Sequence, residues 1–460
     1  MMQTISPGDG RVYVERATAT AAEIDAALQR ARAAQLPWRA VPVAERARLL
    51  ERFCAAFEAR SAELAPELSW QMGRPLRYAP NEVRSTLERA RYMISIAPAA
   101  LADIDVGPKA DFRRFLRREP LGVVFTVAAW NFPYLIAVNS VVPALMAGNV
   151  VLLKHSAQTP LCAERFAECF AAAGLPAGVF QVLHLEHADT ERVIRDARVD
   201  FVAFTGSVAG GRAVQRAASE RFIGVGLELG GCDPVYVRHD ADLPHAIENI
   251  VDGAYFNSGQ SCCGLQRIYV HESVYDRFAA GAAELVHKYV LGDPLDPQTT
   301  LGPVVRTAAA DAIRAQVDAS VRAGARPVID ERAFVRSKAG TPYLAPQLLL
   351  DAPPDSLVMR EEIFGPVAGV MKVQSDAQAL ALMNDNAYGL TAAVWTRDET
   401  AALAFGDALQ TGTFFLNRCD YLDPALAWVG VKDSGRGCTL SVIGYEHLTR
   451  PKSFHLRVRT

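Results

Sequence analysis

The sequence has no apolar run that approaches the about 20 residues a membrane-spanning helix needs. Residues 1–10 contain neither a basic segment followed by an apolar core nor a cleavage site, so nothing suggests export. Basic residues are not in surplus either, since the formal net charge of the 460 residues is −3. A nucleic-acid partner is therefore not indicated, and we expect a cytoplasmic globular protein without a membrane partner.

Cysteine is scarce, with eight residues in the whole chain. That number is too small for a disulfide scaffold in a chain this long, and we expect reduced thiols. No Cys-x-x-Cys pair occurs, and the nine histidines show no ligand spacing near the cysteines. The sequence therefore predicts no metal site.

The patterning that is present predicts an α/β fold with more than one domain. The first hundred residues are predicted to be helical, with Leu49, Leu50, Phe53 and Phe57 on one helix face. From about residue 120, short apolar runs alternate with helix-length segments, which indicates a mostly parallel sheet covered on both faces. The predicted strands of this part are 123–127, 150–153, 179–185 and 199–204. After Gly230 and Gly231 the alternation restarts, so a second α/β domain is expected.

Cys262 is the first candidate for chemistry. It lies in the loop 259–264, flanked by Gly259 and Gly264, between a predicted helix and a predicted strand. A thiol in such a loop is accessible to a substrate. The alternative is a buried small apolar residue, because free cysteine is among the most buried residue types.

Three further elements lie at predicted strand ends. Glu228 ends an apolar strand just before the glycine pair, and a charge there is costly to bury unless it is paired or functional; the alternative is a solvated strand end. Asn131 follows strand 123–127 at the sheet edge where ligands of α/β proteins gather, although a lone asparagine also caps helices. Gly206 and Ser207 connect a strand to a helix whose first amides suit a phosphate, but they lack the spacing of the dinucleotide-binding fingerprint.

Taken together, these elements resemble the motifs of the aldehyde dehydrogenase superfamily, in the same order and over nearly the whole chain. Agreement by chance on six ordered motifs is negligible. The matching segments are 130–133, Lys154 with Thr159 and Pro160, 204–207, 228–231, 259–263 and 361–366.

The resemblance implies two Rossmann-like open-sheet domains and a small β arm for oligomerisation. Residues 1–101 and 121–230 would form the cofactor-binding domain, and 231–443 the catalytic domain. The arm would comprise 102–120 and 444–460, whose charged, alternating stretches look like exposed strands that invite pairing. A homodimer or homotetramer is therefore expected.

The resemblance also implies a reaction, the oxidation of an aldehyde to a carboxylic acid with NAD or NADP. Cys262 matches the nucleophile that forms a thiohemiacetal and then a thioester. Glu228 matches the general base that activates the hydrolytic water. Asn131 matches the amide that binds the oxyanion together with the backbone amide of Cys262.

The expected cofactor contacts follow from the same matches. Lys154 would bind the adenosine ribose, Gly206 and Ser207 the pyrophosphate, and Leu229 the nicotinamide through its backbone. The complete predicted set is Trp130, Lys154, Ala157, Gly206, Ser207, Leu229, Glu362 and Phe364. Ala157 stands where many NAD-specific relatives carry glutamate, and a carboxylate near the ribose repels a 2′-phosphate. With His155 as an additional cation, we expect NADP to be accepted.

Two alternative functions stay open at this point. A coenzyme A acylating dehydrogenase uses the same cysteine but needs no water-activating base, so Glu228 argues against it. A catalytically silent protein on the same scaffold is disfavoured by the intact Cys262, Glu228 and Asn131.

The aldehyde itself is not determined by the sequence. By family analogy the substrate tunnel is lined by Phe132, Asn139, Ser261, Cys263 and Trp428. No arginine stands beside Trp130 to anchor a second carboxylate, so an acidic tail is not required unless an arginine from elsewhere supplies the charge. Two departures from the family pattern are Cys232, where lysine is common, and Val429, where a glycine is common.

Overall fold

A computed structural model of the chain describes residues 1–419 and 421–459. Residue 420, inside the predicted catalytic domain, and residue 460, the end of the predicted arm, lie outside the described residues. The described helices are α1 (Ala21–Ala40), α2 (Val43–Ala59), α3 (Ser61–Met72), α4 (Ala79–Ala100), α5 (Pro133–Ala147), α6 (Pro160–Ala172), α7 (His187–Arg195), α8 (Val208–Ala218), α9 (Leu243–Tyr255), α10 (Glu272–His287), α11 (Thr307–Arg322), α12 (Leu357–Arg360), α13 (Asp376–Asn384), α14 (Glu399–Ala408) and α15 (Ser441–His447), with short 3₁₀ helices at Phe256–Gly259 and Glu331–Ala333.

The described strands are β1 (Met2–Ile5), β2 (Val12–Arg16), β3 (Ile104–Asp105), β4 (Phe112–Pro120), β5 (Val123–Ala128), β6 (Val150–His155), β7 (Phe180–Val182), β8 (Phe201–Thr205), β9 (Gly224–Glu228), β10 (Asp233–Val237), β11 (Leu265–His271), β12 (Arg326–Pro327), β13 (Gln347–Leu350), β14 (Val367–Val373), β15 (Tyr388–Gly389), β16 (Thr391–Trp395), β17 (Thr413–Leu416), β18 (Val431–Lys432), β19 (Gly435–Arg436) and β20 (Thr449–Arg457). They form two large sheets, one smaller three-stranded sheet and two strand pairs.

The first large sheet has the strand order β19-β9-β8-β5-β6-β7. Its strands are parallel except β19, which pairs antiparallel with β9. The central strand β5 is buried at every position, as expected for a continuous apolar run in a parallel sheet covered on both faces. The predicted parallel sheet is confirmed.

Helices of the N-terminal hundred residues cover this sheet through an aromatic cluster. Phe53 of α2 stacks on Phe170 of α6 with ring centroids 3.9 Å apart, and Phe57 meets Phe166 edge-on at 5.4 Å. The predicted apolar face of α2 is therefore buried as expected. The prediction of helix for the whole N-terminal part is wrong for residues 2–16, which form the antiparallel pair β1–β2 around a Pro-Gly-Asp-Gly turn.

The second large sheet has the order β12-β13-β14-β11-β10-β16-β17, and among these strands only the short edge strand β12 runs antiparallel to its neighbour. It has its own apolar core, in which Trp395 and Tyr255 are fully buried. Two Rossmann-like open sheets agree with the predicted fold class.

The chain crosses back to the first sheet near its end. Gly435 and Arg436 of β19 pair with Glu228 and Leu227 of β9, and Tyr445 of α15 donates a hydrogen bond to the Met93 carbonyl of α4 at 2.5 Å. Residues 435–436 therefore belong to the first sheet, although the predicted catalytic domain 231–443 includes them. The functional division into domains stays a prediction.

The predicted strands of the arm are present, and β20 is exposed over most of its length, whereas β4 is mostly half-buried. The outer strands β3 and β20 both pair antiparallel with β4, and Phe115 stacks on Phe454 across the β4–β20 pair at 4.5 Å. Residues 444–447, predicted as part of the arm, lie instead at the end of α15. Among the described residues no helix is both long and apolar enough to cross a bilayer.

Candidate active site

Two cavities meet at the Cys262 thiol. We call the first the outer cleft; its lining residues are Ala129, Trp130, Asn131, Thr205, Gly206, Ser207, Leu229, Gly230, Cys262, Glu362 and Phe364. We call the second the inner pocket; its lining residues are Arg89, Phe132, Leu135, Ile136, Asn139, Thr205, Glu228, Phe256, Ser261, Cys262, Cys263, Leu422 and Trp428. Cys262 and Thr205 line both, so the thiol is open to a molecule on either side.

The loop before Cys262 has an unusual backbone. Asn257, Ser258 and Gly259 have φ values of +54°, +57° and +69°, so three consecutive residues are in the left-handed region. A side chain at position 259 is excluded, because a Cβ there would lie 2.0 Å from the carbonyl oxygen of Gly365. Glycine is therefore required for the close approach of this loop to residue 365.

Side-chain hydrogen bonds hold this loop in place. Gln260 donates to the carbonyl of Asn257 at 3.1 Å and accepts from the amide of Val305 at 2.7 Å. Ser258 donates to the carbonyl of Gly302 at 2.8 Å. The loop is thus tied to residues 302 and 305, which do not line the outer cleft, and these bonds fix the position of Cys262.

The Cys262 side chain is half-buried, and the adjacent Cys263 is buried. Contact with the Cys263 thiol and burial raise the pKa of Cys262 well above its ordinary value, and the negative charge of Glu228 adds to the rise. Deprotonation of Cys262 therefore needs a nearby proton acceptor.

Glu228 lies at the end of β9 with its carboxylate in the inner pocket. Thr205 donates to Oε2 at 3.2 Å, and Thr439 donates to Oε1 at 2.5 Å. Burial raises the pKa of Glu228, and these two hydrogen bonds together with the Arg89 charge oppose the rise. Thr439 was not predicted from the sequence, since it approaches Glu228 only because β19 pairs with β9.

The Asn131 side chain is buried beside the cysteine loop. Its Nδ2 donates to the carbonyl of Gln260 at 3.3 Å. Its own backbone carbonyl accepts from Nη2 of Arg74 at 2.5 Å and from Nδ2 of Asn257 at 3.1 Å. The amide donor of Asn131 is therefore fixed relative to the loop that carries Cys262.

A buried ion pair supports this arrangement, and sequence reasoning did not find it. Arg74 and Glu82 form a salt bridge in which both side chains are almost fully buried. Arg74 also donates from Nε to Oδ1 of Asn257 at 3.1 Å, and Glu82 accepts from the amide of Tyr134 at 2.8 Å. One pair thus connects the Asn131 segment, the start of α5 and the cysteine loop.

Six of the eight expected cofactor residues line the outer cleft. Trp130 meets Phe364 edge-on with ring centroids 5.6 Å apart, and Phe364 has a φ of +54°. Ser207 caps α8 by accepting from the amide of Gly210 at 3.2 Å, so this helix start faces the cleft. Leu229 and Gly206 also line this cleft.

Glu362 is the acidic group of the outer cleft. Its carboxylate accepts one hydrogen bond, from the amide of Gly231 at 3.0 Å, and burial raises its pKa to about 7. A Cβ at Gly230 would lie 2.4 Å from Oε2 of Glu362, so the glycine permits the carboxylate to lie over the backbone. The carboxylate retains capacity to accept hydrogen bonds from a bound hydroxyl.

Lys154 and Ala157 lie at the same sheet edge but outside the outer cleft. Lys154 is the second-last residue of β6 and pairs with Val127 of β5, and burial lowers the pKa of its ammonium. Ala157 is exposed, and its carbonyl accepts from the Thr4 hydroxyl at 2.7 Å.

The expectation that His155 adds a cation there is wrong. His155 is buried and contacts the Pro133 carbonyl at 3.1 Å, and burial lowers its pKa to about 4. Its imidazole is therefore neutral near neutral pH.

All five residues expected in the substrate tunnel line the inner pocket. The sequence did not single out Arg89, which lines the same pocket from α4. Among residues 1–419 and 421–459 no group of three or more His, Cys, Asp or Glu side chains is placed to hold a metal ion.

Comparison with known proteins assigns the chain to a family. The model of the aldehyde dehydrogenase family matches residues 1–454. A succinate-semialdehyde dehydrogenase [NADP(+)] of Mycobacterium avium (strain 104) is 34% identical over 459 residues, which cover 98% of this chain and 95% of that protein.

Solved structures agree. An NAD-dependent aldehyde dehydrogenase from Sinorhizobium meliloti has a TM-score of 0.95 at 33% identity, covering 99% of this chain and 91% of that chain. A succinic semialdehyde dehydrogenase from Streptococcus pyogenes in complex with NADP+ has a TM-score of 0.95 at 27% identity, covering 99% and 100%.

We expect Glu82→Gln to destabilise the protein and to slow turnover. Glutamine keeps an acceptor for Tyr134 but leaves the buried Arg74 charge without a counter-charge, which costs about 3–5 kcal/mol when a buried pair is broken. Denaturant unfolding measures the loss. Glu58→Gln is the matched control, because it breaks the exposed pair with Arg91, worth at most about 1 kcal/mol. Equal stability of the two variants would contradict the role given to the buried pair.

Proposed function

The chain belongs to the aldehyde dehydrogenase family, and we propose that it oxidises its substrate through covalent attack by Cys262. The reaction of the family is the oxidation of an aldehyde with NAD or NADP as acceptor. The observation that carries the residue assignment is that Cys262 lies where the outer cleft and the inner pocket meet. A cofactor in the cleft and an aldehyde in the pocket would both reach this thiol.

The residues of the outer cleft fit a nicotinamide cofactor. The capped start of α8 offers backbone amides to a pyrophosphate. The Glu362 carboxylate, with a single hydrogen bond from the protein, is suited to ribose hydroxyls. When bound, the cofactor supplies the hydride acceptor. We propose that residues 1–101 and 121–230 bind it, with β19 completing their sheet, and that the remaining part up to residue 443 carries the cysteine.

In the proposed first step, Cys262 loses its proton and its sulfur attacks the aldehyde carbon. The negative charge then moves to the aldehyde oxygen. Nδ2 of Asn131 and the backbone amide of Cys262 would donate hydrogen bonds to this oxyanion, and removal of one such donor typically slows a reaction about a hundred- to a thousand-fold. Because Asn131 is already fixed by Arg74 and Asn257, little reorganisation is required.

Loss of hydride leaves a thioester on Cys262, which must be hydrolysed. Glu228 is our candidate for the base that takes a proton from water. Its raised pKa supports this role, since a general base is most effective when its pKa approaches the working pH. The rate of hydrolysis is expected to fall as the pH drops through this pKa, because only the carboxylate accepts a proton. Because a base that activates water promotes hydrolysis, we expect the acyl group to be released as the acid rather than transferred to coenzyme A.

Replacing the two neighbouring thiols separately tests the assignment. Cys262→Ala is expected to abolish formation of reduced cofactor, whereas Cys263→Ala retains most of it, because only the first thiol lines both cavities. For Glu228→Gln we expect a first burst of reduced cofactor followed by slow turnover, since hydride leaves before the base is needed. Stopped-flow absorbance separates the two phases. An active Cys262→Ala protein, or unchanged steady turnover of Glu228→Gln, would remove that residue from the mechanism.

We also propose that the protein is a cytoplasmic homodimer or homotetramer. Thiols are kept reduced in the cytoplasm, which supports this location for an enzyme with a catalytic cysteine, and cell fractionation tests it. The exposed sheet β3–β4–β20 supports the assembly, because its outer strands have unpaired edges. We expect removal of residues 451–460 to yield smaller or insoluble species in light scattering. A monomeric full-length protein would refute the assembly.

NADP is the cofactor that we propose the enzyme accepts. The position three residues after Lys154 is Ala157, so no carboxylate from this position repels a 2′-phosphate, and the relative from Mycobacterium avium is named for NADP. The neutral His155 leaves Lys154 as the cation of this segment.

The same relative is named for succinate semialdehyde, and we propose an aldehyde with a carboxylate tail as the substrate class.

Ala157→Glu is expected to shift the ratio of kcat/KM values toward NAD by at least ~10-fold, which corresponds to about 1.4 kcal/mol. The exposed position accommodates the longer side chain, and Ala157→Gln is the control for size without charge. Steady-state kinetics with both cofactors give the ratio. If the wild-type enzyme rejects NADP, or if the glutamate variant leaves the ratio unchanged, Ala157 does not determine the choice.

A further inference from the structure

Arg89 is a buried cation in the wall of the inner pocket. Arg89 lies on α4 and is 8% exposed. It lines the pocket together with Cys262 and Glu228. It also lines a neighbouring cavity with Tyr78 and Tyr421, so the Arg89 side chain borders both spaces. A molecule in the pocket therefore has the reactive sulfur and a positive charge within one enclosure.

The hydrogen bonds of Arg89 leave much of its guanidinium unused. Nη1 donates to Oδ1 of Asn139 at 3.1 Å and to the Leu135 carbonyl at 3.4 Å. Among the described residues, Nε and Nη2 of Arg89 donate to no protein acceptor. Neither atom is among the fully buried polar atoms, so both retain some accessible surface. A guanidinium presents donors in a fork that matches a carboxylate.

No acidic side chain of the described residues forms a salt bridge with Arg89. Glu82, two helical turns earlier on α4, is occupied by Arg74, and Glu88 accepts a hydrogen bond from Tyr421. Glu228 is bound by two threonines instead. Glu228 offsets the charge of Arg89 electrostatically but forms no hydrogen bond with it, so the fork of the guanidinium stays available to a partner that arrives from outside the chain.

The rest of the pocket indicates what kind of molecule carries that partner charge. Its walls are mainly apolar and aromatic, with Phe132, Phe256 and Trp428 among them. Asn139 holds the guanidinium through its oxygen, and its Nδ2 donates to no acceptor among the described residues, so it is free to bind the same anion. A short aldehyde with a terminal carboxylate matches the chemistry of these groups, because its aldehyde end reacts with the thiol and its carboxylate end requires a cation.

We propose that Arg89, held by Asn139, binds the distal carboxylate of the substrate and thereby selects semialdehydes over neutral and cationic aldehydes of similar size. This inference rests on the proposed function, since it requires that the inner pocket holds the aldehyde. The same charge repels a terminal ammonium, so selection has both an attractive and a repulsive part.

Paired aldehydes provide the test. Succinate semialdehyde and 4-methylpentanal have nearly the same shape, with two methyl groups in place of the two carboxylate oxygens. For Arg89→Met we expect the ratio of their kcat/KM values to fall by at least ~30-fold, because a buried carboxylate loses its charged donor. The loss should appear mainly in KM for the semialdehyde. Arg89→Lys should recover part of the ratio, since the charge remains but the fork is lost.

Arg84→Met is the matched control on the same helix. Arg84 is exposed and donates to Asn81, and it lines neither cavity that meets Cys262. For Arg84→Met, the ratio of the kcat/KM values for the two aldehydes should equal that of the wild type. Binding of succinate to the Cys262→Ala protein, measured by calorimetry with and without Arg89→Met, gives a second readout that needs no turnover.

The outcomes separate the inference from the proposed function. A wild-type protein that oxidises neither aldehyde, or an active Cys262→Ala variant, would refute the function. If the wild type is active but Arg89→Met keeps the wild-type ratio of kcat/KM values, or lowers both values equally, the role of Arg89 is overturned. The inference also fails if succinate binds equally well in the presence and absence of the arginine, whereas a tenfold or larger loss of succinate binding supports it.

Discussion

The buried salt bridge between Arg74 and Glu82 is the interaction on which the site depends. Its two partners contact three separate segments, the Asn131 carbonyl, the amide of Tyr134 at the start of α5 and the Asn257 side chain of the cysteine loop. The loop itself has three left-handed residues in succession, and such a backbone persists only where the surroundings determine it. The position of the proposed oxyanion donor relative to the proposed nucleophile therefore depends on one ion pair, between Arg74 in the segment after α3 and Glu82 on α4.

A second constraint is the return of the chain to the first sheet. Strand β19 adds to β9 and so brings Thr439 to the carboxylate of Glu228 at 2.5 Å. The hydrogen bond opposes the effect of burial on the pKa of Glu228, and so does the bond from Thr205. Thr205 and Thr439, which are far apart in the sequence, thus both act on one carboxylate, which links the closure of the fold to the proposed water activation.

Whether a feature of the fold or the site could be predicted from the sequence depends on how far apart in the chain the interacting residues lie. Strands β5 and β6 were predicted because a fully buried parallel strand is a continuous apolar run. The hairpin β1–β2 was missed, because its short strands lack clear alternation and only the turn between them gives a signal. The motifs identified the residues of the outer cleft. Glu82 and Arg89 gave no signal, since charges two turns apart on a helix look like a solvated face until the tertiary structure buries them.

The charges of the inner pocket form a balanced set under the proposed mechanism. The pKa values of Cys262 and Glu228 are both raised, and the charge of Glu228 adds to the rise at Cys262, so ionisation of both groups at once is disfavoured. Arg89 opposes the rise in the pKa of Glu228 and thus stabilises the ionised carboxylate. A substrate carboxylate would bring a second negative charge to this pocket, and Arg89 is the cation in its wall that offsets it, so recognition and proton transfer share one electrostatic balance.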